Sequence, residues 1–301
     1  MASKRTEVEI EGRTLTVSNL DKVLYPEVGF TKAEVIDYYV RIAPVLVDHL
    51  GDRGITLRRY PDGVDGGSFF EKRCPTHRPD WVGAVDGPGD RGGAIGYCHL
   101  AETAALAWAA NMAALELHAP MSRAADIESP TMVVFDLDPG PGTAMVECAE
   151  VGLWIRDTLD GIGFTSYAKT SGSKGLQVYV PLNSPHTHEH ASSFALAVAQ
   201  VLEKVHPSLI VTTQAKAARH NKVLIDWSQN SRHKTTICVY SLRARPHPTV
   251  STPVSWDEVA AAADGEPLTF EAADVLVRVA DIGDLFAPTL TEVQHLPPPR
   301  P

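Results

Sequence analysis

Val133-Val134-Phe135-Asp136-Leu137-Asp138-Pro139-Gly140 is an apolar strand that ends in two acids. Side chains alternate along a strand, so Asp136 and Asp138 project from one face, where two like charges repel strongly unless something positive lies between them. A divalent cation is the natural counter-charge, and oxygen-only ligands favour Mg²⁺ or Mn²⁺ over zinc or copper. Alone, the stretch also suits a strand running out into an acidic turn, because Asp-Pro-Gly is turn chemistry. A second stretch, Val223-Leu224-Ile225-Asp226, repeats the arrangement with one carboxylate. Three carboxylates on adjacent strands would hold two metals about 3.5–4 Å apart, as in-line phosphoryl transfer requires. A polymerase and a nuclease would use the same acids.

Working outward, periodicity predicts a strand over 132–137, helix 143–159, strands 164–169 and 176–182, helix 188–205, and strands around 223–226 and 235–240. This is an α+β pattern: a mixed sheet packed with helices, close to a ferredoxin-like or RNA-recognition topology. Upstream, residues 8–10 and 13–17 around Gly12 predict a hairpin. Thr31 with Glu34 makes a capping box for a helix carrying Val35, Tyr39, Ile42, Leu46 and Leu50, which Pro44 is expected to kink or divide. Strands are expected over 55–60 and 68–72, and a buried alanine-rich helix over 101–114. Polar residues 122–130 mark the expected division between an N-terminal α/β lobe (1–125) and a catalytic lobe (126–290). A proline-rich tail (291–301) follows, after helices near 256–263 and 271–279.

The phosphate side separates the two chemistries. Thr170-Ser171-Gly172-Ser173-Lys174-Gly175 links two predicted strands and offers backbone N–H groups, hydroxyls and a cation, as a triphosphate needs. It lacks the GxxxxGK[ST] spacing of a Walker A loop, and taken alone it also reads as a hairpin turn with a solvated lysine. The net charge of −10 argues against nucleic acid until its distribution is considered. Lys216, Arg219, Lys222, Arg232, Lys234, Arg243 and Arg245 crowd one segment whose single acid is Asp226, while the acids gather beyond Ser251.

Other signals are weaker. Gly87–Gly92 matches GxGxxG but contains proline and follows no apolar strand, so it reads as a loop. Cys74, Cys98, Cys148 and Cys238 form no CxxC pair and read as reduced thiols; Cys74 with His77, or Cys98 with His99, lacks a complementary metal-binding pair. His186, His188 and His190 open a predicted helix and read as solvent-exposed. Phe69-Phe70 suits either core packing, usual for at least one of the two, or a base-stacking platform.

FDLDPG (135–140), TSGSKG (170–175), VLIDWSQN (223–230) and TTICVYSLRARPHPTV (235–250) together resemble the polymerase domain of bacterial DNA ligase D, in the archaeo-eukaryotic primase superfamily. The resemblance runs from NLDKVLYP near residue 19 to GDLFAP near residue 283. It implies a primase-type catalytic lobe and template-directed nucleotide addition, often of ribonucleotides (NTP) rather than dNTP, with Mn²⁺ preferred. It matches Asp136, Asp138 and Asp226 to metal ligands, and Lys174 and Arg243 to triphosphate contacts. Ser171, His118 and Gln229 then lie around the incoming nucleotide, and Phe70, with Phe69, stacks near a base. Lys22 and Lys32 match a pocket for a 5′-phosphate across a gap, and Arg219 a loop arginine that organises the site around DNA.

The expected function is a DNA-templated primase-polymerase acting at gaps or breaks in repair such as non-homologous end joining, with Ku and a DNA ligase as partners. A stand-alone polymerase in excision-type gap repair or priming is the near alternative. A two-metal nuclease is another, and a DNA-end-binding module that recruits Ku or a ligase is a reading of a different class. No run of about 18 apolar residues and no signal-type amino terminus occur, so a cytoplasmic, nucleoid-associated protein without membrane contact is expected. A stand-alone relative is expected rather than an excised domain.

Overall fold

The computed structural model describes residues 5–89 and 92–298. Asp90 and Arg91 of the glycine-rich loop, and residues 299–301 of the proline-rich tail, lie outside them. The chain forms two compact units: residues up to Pro120 with 237–250 and 270–283, and residues 121–236 with 251–269 and 284 onward. Segments 237–250 and 270–283, placed by sequence within the catalytic lobe, therefore pack with the first unit.

In the first unit, β1 (Arg5–Ile10) and β2 (Arg13–Ser18) form the predicted hairpin, with Gly12 at φ +78°. A small pair, β3 (Val23–Tyr25) and β4 (Phe30–Thr31), leads into α1 (Lys32–Leu50). The Thr31 hydroxyl accepts from the Glu34 N–H and the Glu34 carboxylate accepts from the Thr31 N–H, which caps the helix as its sequence predicts. Pro44 does not divide α1. It forfeits one backbone bond, but the buried stripe of Val35, Tyr39, Ile42, Leu46 and Leu50 extends on both sides of it and holds the helix continuous.

The chain continues through β5 (Thr56–Arg59), β6 (Phe69–Glu71), the hairpin β7 (Gly83–Pro88) and β8 (Ala94–His99), α2 (Thr103–Asn111) and β9 (Ala114–Ala119). β5 lies antiparallel between β9 and β6, so β6 is an edge strand. The alanine-rich run is thus a buried helix followed by a strand, the chain turning at Ala113, φ +57°. The expectation that all four cysteines are reduced thiols fails here. Cys74 and Cys98 form a disulfide, because the β7–β8 hairpin brings Cys98 beside the Cys74 backbone, whose N–H donates to Gly96 O at 2.8 Å. Neither sulfur is then a thiol or a metal ligand; Cys148 and Cys238 are buried and not disulfide-bonded.

The second unit opens with a hairpin, β10 (Ser122–Arg123) and β11 (Asp126–Pro130), where polar linker was expected. β12 (Met132–Pro139), α3 (Met145–Asp160), β13 (Tyr167–Thr170), β14 (Leu176–Pro181), α4 (His188–Val205), β15 (Ile210–Val211) and β16 (Val223–Asp226) follow. His188, expected in solvent, is buried, its ring nitrogens bonded to the Asn230 and Ile127 carbonyls. On returning to the first unit the chain makes only a two-residue strand, β17 (Thr236–Ile237), not one reaching 240. It stops there because Tyr240 adopts φ +60°, its carbonyl taken by the Tyr38 hydroxyl at 2.8 Å. β18 (Pro253–Val254) and α5 (Trp256–Ala263) complete the second unit, and α6 (Ala272–Ile282) lies in the first.

The second unit's six-stranded sheet has the order β15-β16-β12-β14-β13-β18, antiparallel except for β15 with β16. It is the mixed sheet of the predicted α+β class. α3 lies over the face carrying Leu137 and Leu176: a Cβ on Gly152 would come within 2.7 Å of Leu176 Cδ2 and 3.7 Å of Leu137 Cδ1. By alternation, Asp136 and Asp138 occupy the opposite face.

Candidate active site

Strand register gathers the site. Asp136 on central β12 stands directly opposite Asp226 on β16 and, on its other side, opposite Gln177 on β14; Gln177 in turn faces Lys169 on β13. Cross-strand partners share a face, so Lys169, Gln177, Asp136 and Asp226 form one transverse row, with Asp138 two residues further along β12. Asp226 is 5% exposed and heavily bonded. Its Oδ1 accepts from Gln214 Nε2 at 2.9 Å, the Ser228 N–H at 2.9 Å and Ser228 Oγ at 2.6 Å, and its Oδ2 from Gln229 Nε2 at 3.0 Å. Asp136 is half-buried, and its Oδ1 accepts from Gln177 Nε2 at 3.0 Å.

Burial, and then the Asp138 and Asp226 charges, push the Asp136 carboxyl up to about 7, although Gln177 and Lys169 act the other way. A carboxyl so placed takes a proton or a cation at neutral pH. The donor set is oxygen only, which suits a hard divalent ion. Among the described residues no three acidic, histidine or cysteine side chains converge closely enough to hold a metal ion as they stand.

Two close backbone approaches build the loops around the row. A Cβ on Gly175 would overlap the Leu137 carbonyl oxygen, and one on Gly140 would overlap the Arg219 carbonyl oxygen. The 171–175 loop therefore lies against the end of β12 that carries Asp138. The Ser171 N–H donates to Gly175 O at 2.9 Å, while Ser171 Oγ accepts from the N–H groups of Ser173 and Gly175 at 3.2 and 3.1 Å. Lys174 projects from this turn, exposed and without an ion pair among the described residues. Arg219 Nη2 donates to Gln214 O and Oε1 at 2.8 and 3.1 Å, so the loop arginine bears on Asp226 through Gln214.

The first unit brings together a different set. Glu116 on β9 is 1% exposed. It faces Arg58 Nη1 at 3.3 Å, His118 Nε2 at 3.1 Å, Arg243 Nε at 3.2 Å and the Ala244 N–H at 3.1 Å. The Arg243 contact is an ion pair. Burial would raise the Glu116 carboxyl, but His118, Arg243 and Ala244 outweigh it and hold it at about 2. Burial also lowers the His118 imidazole, so at neutral pH that pair is a hydrogen bond rather than an ion pair. Phe70 stands edge-on to His118 with centroids 5.4 Å apart. Neither phenylalanine is core: Phe69 and Phe70 are 46% and 55% exposed, since edge strand β6 leaves both faces open, with Arg59 and Arg58 over their rings. Elsewhere in this unit Lys22 pairs with Asp62 at 3.0 Å, and buried Lys32 donates to Ser18 O at 2.7 Å. Burial, then the Lys22 and Arg59 charges, lowers Lys32 to about 8.

The family described as "LigD, primase-polymerase domain" matches residues 31–286. The chain is 44% identical over 276 residues to the multifunctional non-homologous end joining protein LigD of Mycolicibacterium smegmatis, covering 90% of this chain and 35% of that protein. It is 31% identical to the bifunctional LigD of Bacillus subtilis, with 90% and 43% covered. The polymerase domain of Mycobacterium tuberculosis ligase D, solved in complex with DNA, superposes with a TM-score of 0.86 at 40% identity, covering 93% of this chain and 99% of that one. The chain belongs to the LigD primase-polymerase family. It spans about a third of the mycobacterial relative's length, and its fold is that of the ligase D polymerase domain.

Several side chains of this LigD-family site carry no signal in the sequence. Gln177 and Gln214 are neutral amides within unremarkable segments, and only strand register and the Arg219 loop show that they hold Asp136 and Asp226. Glu116 sits in ALELHA, directly after the helix expected over 101–114 and where no strand was expected; as strand β9, its two-residue spacing from His118 puts both on one face and would have marked the pair.

Proposed function

We propose that this chain is a DNA-templated primase-polymerase that adds nucleotides to 3′ ends at gaps or breaks. The observation that supports it most is the loop 171–175 with its exposed Lys174 lying against the strand end that carries Asp136 and Asp138, opposite Asp226. A nuclease needs the carboxylates but has no use for a triphosphate cradle beside them.

In this reading Asp136 and Asp138, joined by Asp226, would hold two divalent ions, Mn²⁺ or Mg²⁺. Bound there, such ions lower the pKa of an attacking 3′-hydroxyl and offset charge on the leaving pyrophosphate. Lys174 and the N–H groups of its turn meet the triphosphate, with Ser171 shaping that turn and Gln229 beside Asp226. Arg219, through Gln214, links DNA contact to the setting of Asp226. Of the first unit by itself, Arg243 is proposed as a phosphate contact, His118 as a nucleotide contact, and Phe70 with Phe69 as aromatic faces for bases. Lys22 and Lys32 receive a 5′-phosphate. NTP is preferred over dNTP.

We further propose that the chain works in end joining with Ku and a DNA ligase, in the bacterial cytoplasm and nucleoid; the end-joining part is supported by the names of the relatives, which carry non-homologous end joining. Among the described residues no helix is long and apolar enough to cross a membrane. The test is extension of a primer in a gapped duplex bearing a downstream 5′-phosphate, with single NTPs and Mn²⁺. Incorporation should follow the templating base; incorporation indifferent to the template, or degradation without nucleotide, refutes the proposal.

A further inference from the structure

Lys169 is among the largest fully buried side chains of the protein, 1% exposed, in the same transverse row as the carboxylates. Burying an ammonium is unfavourable unless its hydrogen bonds are met, so its placement calls for a reason. Its Nζ donates to Gln177 Oε1 and, at 2.7 Å, to Ser251 Oγ, whose own hydroxyl donates to Thr170 O at 2.8 Å. The Tyr179 ring lies beneath it at 5.4 Å, and the Tyr179 hydroxyl reaches the same Gln177 Oε1 at 3.2 Å.

An ammonium can only donate, so the Gln177 amide can meet it only with its oxygen. That fixes the amide's other end. Gln177 Nε2 must point along the row to Asp136 Oδ1, at 3.0 Å, while Asp136 Oδ2 takes no hydrogen bond among the described residues. A neutral residue at 169 would remove the charged one of the two donors to Gln177 Oε1, leaving only the longer bond from the Tyr179 hydroxyl to hold the amide in this orientation.

We propose that Lys169 is a positioning residue for Asp136: acting through Gln177, it fixes which carboxylate oxygen is occupied by the protein and which is offered to a metal ion. The inference rests on the reading of Asp136 as a metal ligand given above. Outer partners of metal ligands typically change metal affinity by about 10–100-fold when removed, and a relay of two side chains belongs at the lower end of that range.

The test is Mn²⁺ binding to the full chain without nucleotide, followed by the electron paramagnetic resonance signal of free Mn²⁺, for wild type, Lys169→Met, Gln177→Leu, the double variant and Asp136→Ala. Methionine keeps the length and fills the site, and thermal unfolding of each variant checks the fold. Gln177→Leu breaks the relay without touching the buried charge and serves if Lys169→Met does not fold. Each single variant should weaken Mn²⁺ about tenfold, and the double variant no further, because both act along one path. In primer extension the apparent KM for Mn²⁺ should rise by the same factor, with KM for NTP at saturating Mn²⁺ unchanged. Wild-type affinity in both single variants, or additive losses in the double, overturns the relay while Asp136→Ala still loses binding. Unchanged binding in Asp136→Ala overturns the metal-ligand reading, and the relay with it.

Discussion

Replacing Glu116 by glutamine removes the charge from the buried hub of the first unit and keeps its shape. A carboxyl ordinarily near 4.5 that the fold holds at about 2 contributes ~3 kcal/mol at neutral pH, at ~1.4 kcal/mol per pH unit. Its side chain is only 2% exposed, so solvent screening trims this little. The sign follows from the direction of the shift. A depressed carboxylate stabilises the fold above its unfolded value and loses that contribution as pH falls from about 4.5 towards 2, because over this range the unfolded chain binds the proton and the folded one does not. Urea denaturation from pH 7 to pH 2 should show Glu116→Gln ~3 kcal/mol less stable than wild type at pH 7, the gap closing through that acid window. A gap that stays constant from pH 7 to pH 3 would refute the assignment, since the carboxylate charge would then contribute nothing.

Three further expectations follow from named contacts. Gly175→Ala forces a Cβ onto the Leu137 carbonyl and should cost about 1–3 kcal/mol in denaturation while raising KM for NTP; unaltered stability and KM would contradict the close approach. Lys174→Ala should raise KM for NTP about tenfold, the loss of one charge-assisted phosphate contact of ~1.4 kcal/mol, with Mn²⁺ binding intact in a titration. Lys32, lowered to about 8, carries its charge below that pH and sheds it above. Preference for a 5′-phosphorylated over an unphosphorylated gap, read by fluorescence anisotropy, should therefore weaken between pH 7 and pH 9; an unchanged ratio would remove Lys32 from the phosphate pocket.

The local signals in the sequence were strong where the physics is local. The Thr31 capping box, the α4 boundaries from His188 to Val205 and the strand delivering Asp226 stand as predicted, because caps and apolar periodicity act within a few residues. The three aspartates were legible as acids at strand ends, but their order across the sheet was not. That Asp136 faces Asp226 on one side and Gln177 on the other depends on register between strands 40 and 90 residues apart in sequence, roughly. The Cys74–Cys98 pairing was hidden for the same reason, since a sequence separation of 24 spanned by a glycine-rich hairpin gives no spacing rule. Strand β9 was masked by composition: alanine suits the preceding helix, and only the turn at Ala113 separates them.

The claim at the centre of the account is that Asp136, Asp138 and Asp226 form one site for metal-dependent nucleotidyl transfer. Primer extension on a gapped duplex with NTPs and Mn²⁺, run for wild type and for Asp136→Asn, Asp138→Asn and Asp226→Asn with duplex affinity measured alongside, tests it most directly. The account predicts that extension is lost in all three variants while each still binds the gapped duplex; extension at the wild-type rate in any one of them would contradict it.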